Sequence, residues 1–492
     1  MINRFLHIDT VQQCAAMKFS YDFRNEYFIT TGNLNAQLGT PDVNYLDIAF
    51  LKPLGILYTH GQFYLGNMLA GSYQYAGSVY GVQWDTSLPA PDCTRIGNLD
   101  LHVASNLPVH NAIVGGTMTD GGVFTPFSNQ SDWTSETRDG SIGQVMVKFP
   151  KFYIRFETYG TINRVLVSKD PVVGFTEVPD FYISAYQATL DRTNLKLSSV
   201  VNTTTQYRGG TNNADWDSTY RSLLGMPVTN LDLTQFRTYA RARFGNDHGA
   251  CFAYPALKYL YWLYVVEYAT LNSQKAYTSE LTSEGYRKGG LGNGISTWVD
   301  TDWNSYNGFN PFVPCGYTDD LGNRTGVKDF TIYNGNGSVV KSFLTSETGV
   351  SGVCRYRGVE LPFSHIWHHL DAILRDADNK SYYICDTPSK YASTITEDYR
   401  YLCTPANVND YISSILFGAD GDIIAMAGGG SSTSRYCDYM WNDATTNPNQ
   451  VHNLLVGGRA NRGAPCGLLF AHARHAPSVR HANGGSRLCF SQ

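Results

Sequence analysis

The sequence predicts an α+β protein in two parts: a β-rich N-terminal module over 1–142, and a larger domain over 143–492 with two helices and long loops. Three observations carry this. The 492 residues include 47 Gly, 34 Tyr and 24 Phe, yet only 16% are charged, which favours strands joined by turns over helical bundles or disorder. Short apolar runs bounded by turn residues recur along the first third of the chain. Two later stretches instead carry apolar residues at three and four residue spacing. A chain this long exceeds what one hydrophobic core organises, so more than one domain is expected.

Ile48 to Leu51, Gly55 to Tyr64 and Ser78 to Trp84 read as the first strands. The stretch Gly115 to Gly140, rich in Gly, Thr, Ser, Asn and Asp, reads as the boundary, because such residues favour turns and bury little. Val145 to Phe149 and Phe152 to Phe156 then read as a strand pair around Pro150. Thr234 is the expected N-cap of a helix over 235–244, with Phe236, Tyr239 and Ala240 on one face. Pro255 suits the first turn of a second helix through Leu271, with Leu257, Tyr261, Tyr264, Val265 and Tyr268 on its buried stripe. Beyond Gly285 the periodicity thins into loops broken by aromatic runs such as Tyr382-Tyr383-Ile384. No fixed-period repeat is present.

The net charge of −5 offers no global basic footprint for nucleic acid. Its distribution says more. After Asp443 there is no carboxylate side chain, while Arg459, Arg462, Arg474, Arg480, Arg487 and four histidines fall there, so the C-terminal region is locally cationic. Met1 to Ala16 has no continuous apolar core of a signal peptide, and the apolar stretch Tyr259 to Tyr268 is too short for a bilayer span. The ten cysteines are scattered without CxxC or zinc-ribbon spacing and are expected as buried thiols, kept reduced in a bacterial cytoplasm. His365, His368 and His369 would share a helical face, but no carboxylate motif completes a metal site, and none is expected at His472, His475 and His481. No nucleophile elbow, P-loop or dinucleotide fingerprint is found.

A resemblance enters at the C-terminus. Leu454-Leu455-Val456-Gly457-Gly458, Gly463, Gly467, Ala476-Pro477-Ser478 and Gly485-Ser486-Arg487-Leu488-Cys489-Phe490 together resemble a known closing segment. It is that of the C-type-lectin-like fold shared by formylglycine-generating enzymes and the variable proteins of diversity-generating retroelements. Asp180 to Ala188 resembles the strand by which these domains enter their core, and Thr234 to Arg241 their first helix. The helix end Val266 to Gln274 and the run Arg355 to Glu360 resemble phage and prophage members. The resemblance covers about residues 143 to 492; a looser one, through Ala49 to Tyr64, links the N-terminal module to tail-fibre attachment segments. One departure is clear: where the family has a Gly-Asn-x-Trp-Glu-Trp-like element, Ser364 to His369 keeps a single Trp.

The resemblance implies a C-type-lectin-like domain ending in a hypervariable surface over about 457–490. Mutagenesis in that family rewrites adenines, chiefly in Asn codons that can never yield Lys, Glu, Gln, Trp or Met, and none of those five occurs between Arg459 and Gly485. Arg459, Arg462, Pro465, His472, Arg474, His475, Val479, Arg480, His481 and Asn483 are the ligand-binding residues it points to. Guanidinium forks bind carboxylate or phosphate bidentately, so an anionic ligand is expected: an acidic capsular polysaccharide, a phosphorylated lipopolysaccharide core or an acidic protein patch.

The implied protein is a bacteriophage receptor-binding protein, a homotrimer at the tail-fibre tip of the virion. It is made in the bacterial cytoplasm, contacts other tail components and attaches to a host surface receptor. Neither catalysis, cofactor, nucleic acid nor membrane insertion is expected, and a bracing calcium is left open. The alternatives are a bacterial surface adhesin and a tail-associated glycan depolymerase, for which Asp371 with Asp376, or Asp420 with Asp422, would be the carboxylate pair. The formylglycine chemistry would need two cysteines close in sequence, and Cys437 has no such neighbour.

Overall fold

The computed structural model describes strands at 2–8, 15–21, 27–32, 56–59 and 62–65. It then describes 79–97, 107–277, 311–333, 339–342 and 352–491, with breaks at 173, 219–221, 329, 379 and 444–448. The chain divides into two compact units, one of 1–80 with 96–100 and one of 81–95 with 101–492. In the first, β1 (Ile2–Ile8), β2 (Ala15–Tyr21), β3 (Tyr27–Gly32), β4 (Ile56–Thr59) and β5 (Gln62–Leu65) form one sheet in the order β3-β2-β1-β5-β4. The β4 and β5 strands pair antiparallel, so the run 55–64, expected as one strand, is two. The expected strand at 48–51 lies outside the described residues.

The second unit opens with most of a strand over Tyr80–Asp85, where one was expected, and then carries α1 (Pro108–Asn111), β6 (Val114–Met118), β7 (Phe124–Pro126), β8 (Gln144–Phe149), β9 (Phe152–Tyr159), β10 (Ile162–Ser168), β11 (Thr176–Val178) and β12 (Phe181–Ser184). It continues through α2 (Leu233–Phe244), β13 (Gly249–Cys251) and α3 (Tyr254–Tyr268). The last part holds β14 (Trp367–Arg375), β15 (Tyr382–Ile384), β16 (Arg400–Cys403), β17 (Asn409–Phe417), β18 (Asp422–Gly428), β19 (Tyr439–Trp441), β20 (His452–Val456), β21 (Ala471–His475), β22 (Gly484–Gly485) and β23 (Leu488–Ser491).

A six-stranded sheet runs β13-β23-β12-β8-β6-β7, so the C-terminal strand is laid between two strands from far earlier in the chain and closes the unit. Val145, Met146 and Val147 are fully buried, the uninterrupted apolar run of a strand covered on both faces. The 115–140 stretch, expected as the boundary, instead carries β6 and β7 and buries Trp133 completely. The expected pair around Pro150 is also corrected. β8 pairs with β6 and β12, whereas β9 pairs with β10 and β11, so the chain changes sheets at the proline. A proline cannot donate to a ladder, which suits it to such a crossing.

The nine-stranded sheet runs β16-β15-β14-β20-β21-β19-β17-β18, with β22 added alongside β14. It curls into a half-barrel. This sheet occupies the region expected to be long loops, and it overturns the expected α+β, C-type-lectin-like fold class: strand far outweighs helix among the described residues. The architecture is predominantly β, and among the described residues three α-helices serve it as packing elements. Gly- and Ser-rich connections hid the strands, because β16, β19 and β20 are only three to five residues long and carry no two-residue alternation to read.

Both helices form where expected, with shifted ends. The N-cap of α2 is Asp232, not Thr234: the Asp232 carboxylate accepts from Gln235 N at 2.9 Å, and the Gln235 side chain accepts from Asp232 N at 3.2 Å. This reciprocal box satisfies two of the helix's otherwise unpaired amides. Asp232→Ala is expected to cost about 1 kcal/mol, read as a lower urea midpoint with an unchanged slope. Helix α3 is buried well beyond the expected stripe, although Tyr268, expected on it, is only half-buried with Pro255, Lys258 and Tyr259: Trp262 Nε1 donates to Gly421 O at 2.6 Å, and Tyr254 Oη donates to Asp422 at 2.9 Å. No helix among the described residues is long and apolar enough to cross a membrane. The nine described cysteines are free thiols, eight of them buried, and Cys14 lies outside the described residues.

Candidate functional site

Three adjacent strands of the curled sheet bring one residue each to the same level. Across β19, β21 and β20, Trp441 lies beside His472 and His472 beside Leu455. Cross-strand partners project to one face of a sheet, so these three form a floor. Trp367, at the start of β14, completes it, with its ring 4.8 Å from Phe470 and 5.6 Å from His472. The backbone of Asn483 accepts from Trp367 N at 2.8 Å and so ties the floor to the C-terminal segment.

Over this floor lies a cleft of about 300 Å³, lined by Trp367, Trp441, Leu455, Arg459, Arg462, His472, Arg474, His475, His481 and Asn483. Seven of these belong to the expected ligand-binding set, brought together from three segments; Pro465, Val479 and Arg480 lie outside the lining. Arg480 is half-exposed and instead pairs with Asp232 at 2.9 Å, where it also meets the N-terminus of α2. None of the described lining residues carries a carboxylate. A larger hollow of about 360 Å³ elsewhere in this unit, lined by Tyr254, Tyr259 and Phe490, has its cations Lys258 and Arg400 paired with Asp422 and Asp386.

The arginines are placed differently. The Arg462 guanidinium sits 4.5 Å from the Trp441 ring centroid, within cation–π reach. Arg474 lies 3.8 Å from Asp443, and Arg459 is buried. The imidazoles form a chain, His472 to His475 at 4.5 Å and His475 to His481 at 4.8 Å between ring centroids. Burial, then neighbouring imidazoles and guanidiniums, drives His472 well below the ordinary histidine range, His475 down to about 4, and His481 down as well. At neutral pH the cleft therefore carries guanidinium charge beside neutral imidazoles.

Glycine makes the wall possible. A Cβ at Gly467 would stand 2.0 Å from Asp438 Oδ1, and Gly458, at φ +78, would put one 2.4 Å from Cys466 Sγ. Both positions need a residue without a side chain.

The helical face expected for His365, His368 and His369 is replaced by strand and loop, all three being buried. Gln187 links the first two: His365 Nδ1 lies 2.6 Å from its Oε1 and His368 Nε2 lies 2.9 Å from its Nε2. His365 Nε2 also accepts from Phe312 N and Val313 N. These histidines organise the core under the cleft. Among the described residues no group of His, Cys, Asp and Glu is arranged to hold a metal ion. Asp371 is buried against Arg237, and Asp422 is held by Tyr254 and Lys258, so neither faces the cleft.

Trp367 and Trp441 were not assigned to the site from sequence. The signal for Trp367 was the retained single Trp of Ser364 to His369; Trp441 stands just before the last carboxylate of the chain. No protein-family model and no curated protein matches this chain.

Proposed function

We infer that the protein is a receptor-binding protein of the phage-attachment type, which holds an anionic group of a bacterial surface ligand in the C-terminal cleft. The observation that carries this reading is the convergence of Arg459, Arg462 and Arg474 on one cleft whose described lining includes no carboxylate. Guanidinium forks over an aromatic floor suit an acidic glycan or a phosphorylated core sugar, where planar donors meet carboxylate or phosphate and ring faces cover the apolar side. The resemblance of the closing segment to retroelement variable proteins supports the same reading, with changing side chains carried on glycine-shaped loops. In this reading the protein works as a homotrimer on a tail-fibre tip, where weak sites gain by avidity.

Purified protein incubated with host-type and non-host cells tests it. The variant Arg459→Asn/Arg462→Asn/Arg474→Asn is expected to lose strain-selective binding, since each charge-assisted contact contributes about 1.5–3 kcal/mol. Arg480→Asn is expected to keep it, because Arg480 is engaged with Asp232 outside the cleft. Binding by wild type is expected to weaken on raising salt from about 0.05 to about 0.5 M. Equal binding by wild type and the triple variant would move recognition elsewhere.

A further inference from the structure

We propose that the cleft takes up protons together with its anionic ligand: the linked imidazoles of His472, His475 and His481 become imidazolium as the anion enters, so the site binds more tightly in mild acid. This rests on the anion-binding reading above and concerns the regulation of the same site.

The geometry is a cluster in a cavity. Three rings stand in contact along one wall, and His472 Nδ1 and His481 Nε2 are buried without a hydrogen-bond partner among the described residues. The surroundings are cationic from nearly every side. Arg459 and Arg462 face the cluster from the loop after β20, and Arg474 from β21 itself. Behind it stand Arg375 and His369 on β14 and His452 on β20; Arg375 donates to Ala473 O, and the Asn453 amide lies 2.9 Å from His369 Nδ1. Asp443 stands beside Arg474, and Asp438 lies buried beneath the loop at Gly467 and Leu469.

With the cleft empty, burial and these cations hold the imidazoles neutral. An anion bound among them reverses the second cause, because an opposite charge within hydrogen-bonding reach favours the protonated ring and turns a buried nitrogen into a donor. A group whose affinity for protons rises on binding takes one up. Ligand affinity then grows as pH falls through the bound-state value, and stops growing below the empty-cleft value, about 4 for His475. By reciprocity the ligand and the proton strengthen each other.

The probe is inorganic sulfate, whose charge does not change over the range used, titrated into the full chain by calorimetry in two buffers of different ionisation enthalpy. Wild type is expected to absorb protons on binding and to bind about tenfold more tightly at about pH 5.5 than at about pH 7.5, one linked proton giving up to tenfold per pH unit. His472→Asn/His475→Asn/His481→Asn is expected to bind sulfate with little pH dependence. Asp443→Asn and Asp438→Asn are expected to keep the pH dependence, which separates the imidazoles from the two carboxylates. Sulfate binding by wild type with no proton uptake would overturn the proposal and leave the anion cleft standing. No sulfate binding at any pH would overturn both, and persistence of the full pH dependence in the triple histidine variant would overturn the assignment to these rings.

Discussion

Asp371→Ala is expected to lower stability by about 3–5 kcal/mol, the range for breaking a buried ion pair from one side. The Asp371 carboxylate meets Arg237 through two hydrogen bonds of 2.8 Å, with both side chains almost wholly buried. Arg237 belongs to α2 and Asp371 to β14, so this pair pins the helix to the sheet that carries the cleft. Removing the acid leaves a guanidinium with, among the described residues, Ser393 and the Ala392 carbonyl as partners, too little to offset its lost hydration. Chemical denaturation compares the variant with Arg237→Met/Asp371→Leu, which removes both charges and is expected to recover much of the loss. A single variant as stable as wild type would show that the pair does not hold the helix.

Asp438→Asn is expected to change how stability depends on pH, with its largest effect above neutrality. Asp438 is fully buried below the cleft loop. Its Oδ2 accepts from Ser273 Oγ and Leu469 N, both at 2.9 Å, while Oδ1 has no hydrogen-bond partner among the described residues. Burial dominates over these two bonds and pushes the carboxyl from its ordinary 3.8 up to about 7. Between those values the folded chain holds a proton that the unfolded chain has released. Stability therefore falls as pH rises from about 4 to about 7, by at most about 4 kcal/mol, and levels off above. The asparagine variant cannot ionise, so it is expected to exceed wild type by a few kcal/mol at about pH 8 and to converge with it near pH 4. Urea midpoints across that range measure the difference; parallel curves would rule out Asp438 as the titrating group.

The two helices were legible because period and punctuation agree at both. Pro255 lies in the first turn of α3, and Phe236 and Ala240 share the buried face of α2. The cap was misplaced by two residues because Asp232 and Thr234 are both good capping residues, and only the position of the Gln235 side chain decides between them. The half-barrel was not legible. Its strands are short, and β20, with all five residues buried, lacks the alternation that marks a half-exposed strand. The site was legible as a list of side chains and not as a place. Arg480 reads like Arg474 in the sequence, yet one pairs with the cap of α2 and the other lines the cleft.

The amino-acid sequence alone determined a Gly- and aromatic-rich chain of many strands and two punctuated helices, with a C-terminal stretch of guanidinium and imidazole groups free of carboxylates. Composition and local spacing are enough for that, since backbone preference and charge count depend on near neighbours. Tertiary structure decided the rest: which strands share a sheet, that β23 closes the unit beside β12 and β13, and that Trp367 and Trp441 lie beneath those cations. It also decided that the cleft's histidines are neutral, because an imidazole's charge is set by burial and by cations arriving from distant segments, which no local reading of the chain contains.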